Sequence, residues 1–456
     1  MYGKIRRIHF VGIGGIGMSG IAEVLINMGY EVSGSDLKRA NTIERLESLG
    51  AKIFIGHDPR NLSGAQLVVV SSAVKRDNPE VAKAFEKKIP VIPRAEMLAE
   101  LMRLKYGVAV AGSHGKTTTT SLISTVLSHS GFDPTVVVGG RVVTLGTNAR
   151  LGNGAFMVAE TDESDGSFLM LSPTITVVTN VDREHLDYYG TLSRLKEAFL
   201  DFINKVPFYG LSVLCLDCPN IRELVPSIKK RYLTYGFSQQ ADLRAQDVEV
   251  RGFETTFKVL FKNSTEGNIR LRVPGRHNAQ NALAAVAVGM ELGIKFDDIV
   301  EGLDEFRGIE RRLQVKGRVK DVLFVDDCGH HPEEIRATLS TLKEALGKRL
   351  IVIFQPHRYS RTRLLFESFS TAFSLADALI VLDIYSAGED IDEGVSAESL
   401  ARFIKESGYP DVVYLGDWND VTRYVLGKVR SGDAVITLGA GDVWKIGEMI
   451  QCQIGG

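Results

Sequence analysis

Short apolar runs alternate with stretches of helical periodicity along most of the chain, and this alternation predicts parallel sheets covered by helices. The first apolar run, residues 5–11, is followed by the glycine-rich segment Gly12–Gly17 and by a helical stretch to about Met28. The other elements predicted for this first segment are a strand from Tyr30 that ends near Asp36, a strand at Leu67–Val70 and a helix at Pro79–Lys88.

The same alternation begins again near residue 103 and once more near residue 314. Between about 232 and 273 the period changes to two, which predicts a small antiparallel sheet beside the parallel one. The second segment is predicted to contain strands at Val108–Ala111, Ala155–Ala159 and Ile175–Thr179, and helices at Thr118–Ser128 and Gly275–Leu292. The third segment is predicted to contain strands at Val322–Val325, Leu350–Phe354, Ala378–Leu382 and Ala434–Leu438.

Composition adds mainly exclusions. The chain has 456 residues, 44% of them hydrophobic, and a net charge of −2, which favours neither nucleic acid nor an anionic membrane as a partner. No apolar run is long enough to cross a membrane, and the glycines of Gly12–Gly17 interrupt the only candidate signal sequence. The four cysteines include one C-x-x-C pair, Cys215 and Cys218, without the second pair that a zinc site needs. We therefore expect a cytoplasmic protein with free cysteines.

The segment Gly112–Thr117 (GSHGKT) joins a predicted strand to a predicted helix, as phosphate-binding loops do. Glycines allow backbone N–H groups to approach phosphate oxygens, and the start of the helix adds partial positive charge. Lys116 is placed to reach the β- and γ-phosphates of a nucleotide, and the Thr117 hydroxyl to ligate Mg²⁺. The spacing is shorter than G-x-x-x-x-G-K-[ST], which would require glycine where this chain has Val110.

Polar side chains stand at the carboxyl ends of three neighbouring predicted strands in the second segment. Glu160 ends one strand, Asn180 ends the next, and His185 lies in the loop that follows. With Thr117, these positions predict a magnesium site at one edge of the sheet, since hydroxyl and carboxylate oxygens suit Mg²⁺. The alternatives are that Glu160 belongs to a solvated acidic loop and that His185 is a surface histidine.

Two further segments favour binding of a carboxylate or a nucleotide. Gly12–Gly17 contains G-x-G-x-x-G, followed about 20 residues later by Asp36, and taken alone would indicate a dinucleotide site. Arg358 and Arg361 lie beside His357 after a strand of the third segment, and a guanidinium group binds a carboxylate in a bidentate manner. A solvated helix start is the alternative for the two arginines.

Taken together, these motifs resemble the Mur ligases, the ATP-dependent amino-acid ligases of peptidoglycan synthesis. A family spacing of G-x-x-G-K-[ST] also accounts for the shortened phosphate loop. The similar stretches run in order along nearly the whole chain: Gly12–Ser19, Gly112–Thr120, Glu160–Phe168, Asn180–Asp187, Pro274–Asn281, Gly308–Leu313, Asp326–Pro332 and Phe354–Thr362.

The resemblance implies a three-domain α/β fold. A Rossmann-like domain at 1–103 would bind the UDP-sugar, a P-loop-type ATPase domain at 104–313 would bind ATP and Mg²⁺, and a Rossmann-like domain at 314–456 would bind the amino acid. The implied UDP-sugar residues are Gly14, Gly15, Ile16, Gly17, Met18, Asp36, Ser71 and Ser72. The implied ATP residues are Gly112, Ser113, His114, Gly115, Lys116, Thr117, Thr118, His277, Asn281, Arg312 and Asp327. The amino-acid residues would be His330, Arg358 and Arg361.

The activity implied by the resemblance is ligation of L-alanine to the lactyl carboxylate of UDP-N-acetylmuramate through an acyl phosphate, with Lys116, Glu160 and His185 as catalytic groups. One departure concerns Cys328, which stands where similar chains have tyrosine. Three alternatives stay open at this stage: a family member that attaches a peptide to the same UDP-sugar, an NAD-dependent oxidoreductase, and a non-enzymatic ATP-driven switch. The sequence does not predict an oligomeric state.

Overall fold

The computed structural model describes residues 5–143, 147–409 and 411–455. Contacts divide the chain into two compact units. The first unit covers Met1–Val248, Thr256–Leu271 and Asn278–Arg307, and the second covers Glu249–Thr255, Arg272–His277 and Gly308–Gly456. The domain boundaries at 103/104 and 313/314 stay a prediction.

The first sheet of the first unit consists of five parallel strands in the order β3-β2-β1-β4-β5. The strand that starts the chain therefore lies at the centre, and the chain leaves it first towards one edge and then towards the other. Ligands bind at such a switch point in doubly wound sheets. The strands are β1 Arg7–Val11, β2 Glu31–Asp36, β3 Lys52–Ile55, β4 Leu67–Val70 and β5 Val91–Pro93, and the helices are α1 Ile16–Asn27, α2 Asn41–Ser48, α3 Pro79–Glu86 and α4 Arg94–Met102.

The second sheet has ten strands in the order β15-β14-β13-β12-β11-β10-β6-β9-β7-β8. The strands of the segment predicted to form a small sheet extend one edge of it. The strands are β6 Tyr106–Ala111, β7 Thr135–Val142, β8 Thr147–Arg150, β9 Phe156–Glu160, β10 Ile175–Val178, β11 Leu211–Cys215, β12 Tyr232–Gly236, β13 Leu243–Arg251, β14 Glu254–Phe261 and β15 Ser264–Leu271. The helices that accompany it are α5 Lys116–His129, α6 Leu186–Tyr189, α7 Leu192–Ile203, α8 Pro219–Leu224, α9 Arg276–Glu291 and α10 Phe296–Glu305.

Helix α1 joins the two sheets of the first unit, because it packs against β7 and β8. A Cβ atom at Gly20 would lie 3.2 Å from the side chains of Ala149 and Asn148, so a small residue is needed at this contact. Asn148 Nδ2 also donates a hydrogen bond of 2.8 Å to the carbonyl of Ile16 in the first turn of α1. This contact brings the glycine-rich loop before α1 close to the second sheet.

The second unit contains a six-stranded sheet in the order β16-β17-β21-β18-β19-β20, parallel except for β16. Separate apolar clusters cover its two faces, one containing Phe354 and the other Ile353. The strands are β16 Gln314–Val319, β17 Val322–Asp327, β18 Leu350–Phe354, β19 Ala378–Val381, β20 Val412–Tyr414 and β21 Ala434–Leu438. The helices are α11 Pro332–Leu346, α12 Tyr359–Leu364, α13 Ala397–Glu406, α14 Trp418–Lys428 and α15 Trp444–Gly455.

The α/β class and the central strands are confirmed, whereas two strands of the first sheet were not predicted. β3 and β5 are four and three residues long and lie at the edges of the sheet, where their side chains are only partly buried or exposed. A short, half-exposed strand lacks the apolar run that marks a central strand. Among the described residues, no helix is both long and apolar enough to cross a membrane.

Candidate active site

The loop between β6 and α5 can be built only with glycine at two of its positions. Gly112 has φ +135°, and a Cβ atom there would lie 2.1 Å from Thr179 Oγ1. Gly115 has φ +80°, and a Cβ atom there would lie 2.7 Å from Asn281 Oδ1. Both φ values are ones that other residues rarely adopt. Asn281, which the family resemblance assigned to ATP, therefore lies directly against the phosphate loop.

The loop after β10 holds the phosphate loop in place. Asn180 Oδ1 accepts a hydrogen bond of 2.7 Å from the N–H of His114, and Asn180 Nδ2 donates one of 3.0 Å to the His114 carbonyl. The N–H of Asp182 donates to Ser113 Oγ at 2.8 Å. The polar residue predicted at the end of β10 thus positions backbone groups of the loop.

Lys116 is the first residue of α5, and a carboxylate that sequence reasoning missed holds its ammonium group. Lys116 Nζ donates to Glu163 Oε1 at 2.7 Å and to the Gly112 carbonyl at 2.6 Å. Burial alone would lower the pKa of Lys116, but the charges of Glu163 and Glu160 outweigh it and raise the pKa. Lys116 therefore stays charged where a phosphoryl group would need it.

Two groups of oxygen and nitrogen ligands lie around this lysine. Thr117 Oγ1 donates to Glu160 Oε1 at 3.1 Å, and Glu160 Oε2 accepts from the N–H of Gly139 at 2.7 Å. His185 Nε2 lies 3.7 Å from Glu163 Oε1 and 3.9 Å from Glu184 Oε2. The structure thus pairs Thr117 with Glu160, and it surrounds His185 with two acids that the sequence analysis did not single out.

The second group has the properties of a cation site. One ligand atom each from Glu163, Glu184 and His185 lies within 4.8 Å of the others. Glu163 Oε2 is buried and has no hydrogen-bond partner among the described residues. A buried, unpartnered carboxylate oxygen is costly, and a divalent cation would satisfy it. Burial alone would lower the pKa of His185, but the interactions with Glu163 and Glu184 outweigh the effect of burial and raise the pKa.

The glycine-rich loop after β1 is held by the end of β2. The N–H groups of Gly12 and Ile13 donate to the Ser35 carbonyl at 2.9 and 3.0 Å. The N–H of Gly14 donates to Asp36 Oδ2 at 2.8 Å, and a Cβ atom at Gly14 would lie 2.9 Å from that oxygen. The Asp36 carboxylate therefore holds the glycine-rich loop that precedes α1, through its hydrogen bond with Gly14.

A single cavity of about 340 Å³ joins the two glycine-rich loops. Its lining from the first sheet includes five residues predicted for the UDP-sugar, namely Gly15, Gly17, Met18, Ser71 and Ser72, together with Arg94. Its lining from the second sheet includes Lys116, Gly139, Glu160, Thr161 and Asp162. Both predicted phosphate-binding loops thus open into one space.

Arg94, another residue that sequence reasoning missed, lies between the two halves of this cavity. Its Nη2 donates to Asp162 Oδ2 at 2.8 Å, and a Cβ atom at Gly17 would lie 2.9 Å from its Nη1. Arg94 begins α4, where a positive charge opposes the helix dipole. An anion beside the glycine-rich loop would compensate for that placement.

In the second unit, a cluster of rings surrounds the positions predicted for the amino acid. The rings of His330 and His357 lie 5.2 Å apart between centroids, and His357 stacks on Tyr385 at 5.7 Å. The side chains of His357 and Arg361 meet at 3.0 Å, between Nδ1 and Nη1. Arg358 has φ +69°, and its N–H donates to the Tyr385 carbonyl.

Burial, together with the neighbouring cations, keeps both histidines of this cluster neutral. Burial is the main cause that lowers the pKa of His330 to about 4 and that of His357 to about 3. Burial also raises the pKa of the Cys328 thiol to about 11.

Asp327 accepts hydrogen bonds from the N–H groups of Leu313 and Gly329, at 2.8 and 2.7 Å. Of the remaining residues assigned to ATP, His277 and Arg312 belong to the second unit.

Three family models match consecutive parts of the chain: "Mur ligase family, catalytic domain" at residues 7–106, "Mur ligase middle domain" at 110–289 and "Mur ligase, glutamate ligase domain" at 311–441. A UDP-N-acetylmuramate–L-alanine ligase from Geotalea uraniireducens is 60% identical over 450 residues, which are 99% of this chain and 98% of the relative. The chain belongs to the Mur ligase family.

Other Mur ligases are similar over the same length. A UDP-N-acetylmuramate–L-alanine ligase from Geobacter sulfurreducens is 58% identical over 98% of this chain and 97% of the relative. The crystal structure of UDP-N-acetylmuramate–alanine ligase from Thermotoga maritima superimposes with a TM-score of 0.85 at 30% identity and covers 98% of both chains. The expected family and fold class are therefore confirmed.

Proposed function

We propose that this chain catalyses the ATP-dependent ligation of L-alanine to the lactyl carboxylate of UDP-N-acetylmuramate, in the cytoplasmic synthesis of peptidoglycan precursors. The observation that carries this function is the single cavity that joins the glycine-rich loop of the first sheet to the phosphate loop of the second. Full-length relatives named for this reaction, at up to 60% identity, support the choice of substrates. The four free cysteines agree with a reducing compartment.

The reaction must activate a carboxylate, which is a poor electrophile. A lactyl carboxylate oxygen attacks the γ-phosphorus of ATP, so that ADP leaves and an acyl phosphate forms. The α-amine of L-alanine, after losing a proton, attacks the acyl carbon, and inorganic phosphate leaves as the amide forms. In such transfers the protein acts mainly by positioning the reactants and stabilising charge.

Each half of the cavity has a role in this scheme. The N–H groups of the loop from Gly112 to Gly115 would bind the ATP phosphates, and Lys116 would leave Glu163 to neutralise the transferring phosphoryl group. The loop around Gly15 and Gly17 would bind the UDP diphosphate at the start of α1. Arg94 supplies positive charge beside that diphosphate.

Magnesium is part of the proposal, since the side chains at the phosphate loop have the chemistry that it requires. Thr117 and Glu160 would hold one ion, and His185 with Glu163 and Glu184 is a second group able to bind a cation. When bound, Mg²⁺ would supply positive charge against the phosphate oxygens. We further propose that His277, Asn281, Arg312 and Asp327 contact ATP, and that His330, Arg358 and Arg361 bind the α-carboxylate of L-alanine.

The test measures phosphate release from ATP with UDP-N-acetylmuramate and each of several amine substrates. L-alanine should support turnover, and omission of either the UDP-sugar or the amine should abolish it. L-alanyl-γ-D-glutamyl-meso-diaminopimelate is the decisive comparison, because the alternative family member would attach this peptide to the same UDP-sugar. Faster turnover with the peptide than with L-alanine would contradict the proposed substrate. Binding of NAD in place of the UDP-sugar would contradict the function altogether.

A further inference from the structure

A fully buried carboxylate, Glu80, lies beneath the sheet edge that carries the glycine-rich loop of the first sheet. It is the second residue of α3, and it was absent from every motif in the sequence analysis. No atom of it reaches solvent, so it does not contact a ligand in the cavity. The hydrogen-bond donors that surround Glu80 indicate the structural role of its carboxylate.

Both oxygens of Glu80 face hydrogen-bond donors from three different parts of the chain. Oε1 accepts from Asn61 Nδ2 at 2.6 Å and from the N–H of Asp58 at 3.3 Å. Oε2 accepts from Ser35 Oγ at 2.5 Å and lies 3.4 Å from His57 Nδ1 and 3.5 Å from His9 Nε2. The carboxylate therefore ties β1, the end of β2 and the loop after β3 to the start of α3.

The Ser35 contact leads directly to the glycine-rich loop. While Ser35 Oγ donates to Glu80, the Ser35 carbonyl accepts from the N–H groups of Gly12 and Ile13. The next residue, Asp36, accepts from Gly14 through its side chain, and its carbonyl accepts from the N–H of Gly56. Two consecutive residues at the end of β2 thus fix three N–H groups of the loop and the start of the loop after β3.

A buried charge is costly unless hydrogen bonds compensate for it. Burial alone would raise the pKa of Glu80, but the nearby His9 and the hydrogen bonds from Ser35 and Asn61 outweigh it and lower the pKa to about 2. Glu80 is therefore ionised at every working pH. An apolar residue would fill this space without the desolvation cost. The hydrogen-bond network around Glu80 therefore fixes the position of β2 and does more than fill buried space.

We propose that Glu80 is a positioning residue for the UDP-sugar site: through Ser35 it fixes the end of β2, which holds the N–H groups of Gly12–Gly14 and thereby positions the rest of the glycine-rich loop, the part that would face the diphosphate. This inference rests on the proposed function. It assigns to Glu80 an effect on UDP-sugar affinity and none on the ATP site, because within the described part of the chain no contact of Glu80 leads to the loop at Gly112–Gly115.

The test compares Glu80→Gln with Glu86→Gln. Glutamine keeps the shape of the side chain but replaces one oxygen by an NH₂ group, which would face donors on either side of the network. Glu86 lies at the other end of α3, is exposed and, among the residues that the structure describes, is paired only with Lys83 at 2.6 Å, so it is the matched control. We expect Glu80→Gln to raise the Kd and KM for UDP-N-acetylmuramate about tenfold, with kcat and the KM for ATP unchanged, and Glu86→Gln to change none of them.

A second variant separates positioning from general destabilisation. Ser35→Ala removes the hydroxyl that links Glu80 to β2 and leaves the Ser35 carbonyl in place. If Glu80 acts through Ser35, the effect of Glu80→Gln on UDP-sugar affinity is smaller in the Ser35→Ala background than in the wild type. Ser35→Ala also serves alone if Glu80→Gln does not fold, and it should then raise the KM for the UDP-sugar and leave that for ATP unchanged.

Several outcomes would overturn the inference. An unchanged UDP-sugar Kd in folded Glu80→Gln would do so, as would equal increases for ATP and the UDP-sugar, or strictly additive effects with Ser35→Ala. Calorimetry of the wild type with UDP-N-acetylmuramate comes first. Absence of binding there would contradict the proposed function, whereas wild-type binding that Glu80→Gln leaves unchanged would contradict only the role of Glu80.

Discussion

The chain contains two glycine-rich loops that each join a strand to a helix, and the two differ in the side chains placed around them. The loop before α1 is held by a carbonyl and a carboxylate at the end of β2, and its helix begins with Ile16, an uncharged residue. The loop before α5 begins its helix with Lys116, whose charge faces Glu163 and Glu160. Both loops can thus bind an anion through backbone N–H groups at the start of a helix. The first loop can hold a diphosphate in place, whereas the second can also stabilise the negative charge of a phosphoryl group during its transfer.

The largest expected effect is that of Lys116→Ala. We expect kcat to fall by about 100-fold or more, because a preorganised cation next to the transferring phosphoryl group is lost. The Kd for UDP-N-acetylmuramate, measured by calorimetry, should change little. Lys83→Ala, which removes an exposed ion pair with Glu86, is the control. Near-normal turnover of Lys116→Ala would show that Lys116 does not stabilise the transferring phosphoryl group. The proposed difference in function between the two loops would then be wrong.

A pair of glycine substitutions tests whether the two loops act on different substrates. Gly112→Ala places a methyl group 2.1 Å from Thr179 Oγ1 at φ +135°, so the phosphate loop must move. We expect the KM for ATP to rise up to about 100-fold. Gly14→Ala places a methyl group 2.9 Å from the Asp36 carboxylate and should raise the KM for the UDP-sugar about tenfold.

Steady-state kinetics with each substrate varied in turn would measure both glycine variants. Gly112→Ala should raise mainly the KM for ATP, and Gly14→Ala should raise mainly the KM for the UDP-sugar. If either one raised both KM values by the same factor, the two loops would not be separate binding sites.

Glu160→Gln tests whether the second loop depends on a metal. We expect the Mg²⁺ concentration for half-maximal activity to rise about tenfold, since one charged oxygen ligand becomes neutral. Asp187→Asn, which changes an exposed acid of α6 that is not placed in the site, should leave the Mg²⁺ titration unchanged. An unchanged Mg²⁺ requirement in Glu160→Gln would mean that Glu160 acts through hydrogen bonds such as those from Thr117 and Gly139 and not through a metal ion.

The smallest expected effect is that of Arg94→Ala, about fivefold in the KM for the UDP-sugar, because the Arg94 side chain is partly exposed and water screens its charge. Asp162→Asn is the matched variant: it breaks the Arg94–Asp162 ion pair but keeps the guanidinium group. Kinetics should show the increase with Arg94→Ala and a smaller one with Asp162→Asn. Equal increases would assign the effect to the ion pair rather than to the guanidinium charge.

Sequence reasoning succeeded best where the relevant residues are close together in the chain. It predicted the strand, glycine-rich turn and helix around Lys116, and it placed Thr117 and Glu160 at one edge of the sheet, where they meet because β6 and β9 are neighbouring parallel strands. It missed Glu163, although Glu163 lies three residues after Glu160, because an acidic run is equally typical of a solvated loop. Only burial to 2% exposure and the contact with Lys116 distinguish Glu163 from its neighbours.

The other missed residues carry weaker signals still. Arg94 begins a helix, and a cation at that position was the only available indication. Tyr385 follows β19 in a segment without a recognised motif, and its contact with His357 requires the loops after β18 and β19 to meet. Glu80 looks like an ordinary acid in the first turn of a helix, where acids are common.

The sequence by itself determined the α/β class, the three series of strands and the two loops at which phosphates would bind. These features follow from local properties: apolar periodicity, and glycine where a side chain would collide with a neighbour. The tertiary structure decided which side chains share a site: it joined the two loops in one cavity, gave Lys116 its carboxylate partner and buried Glu80 under β2. Such pairings depend on strand order and helix packing between residues far apart in the chain, and no local pattern encodes them.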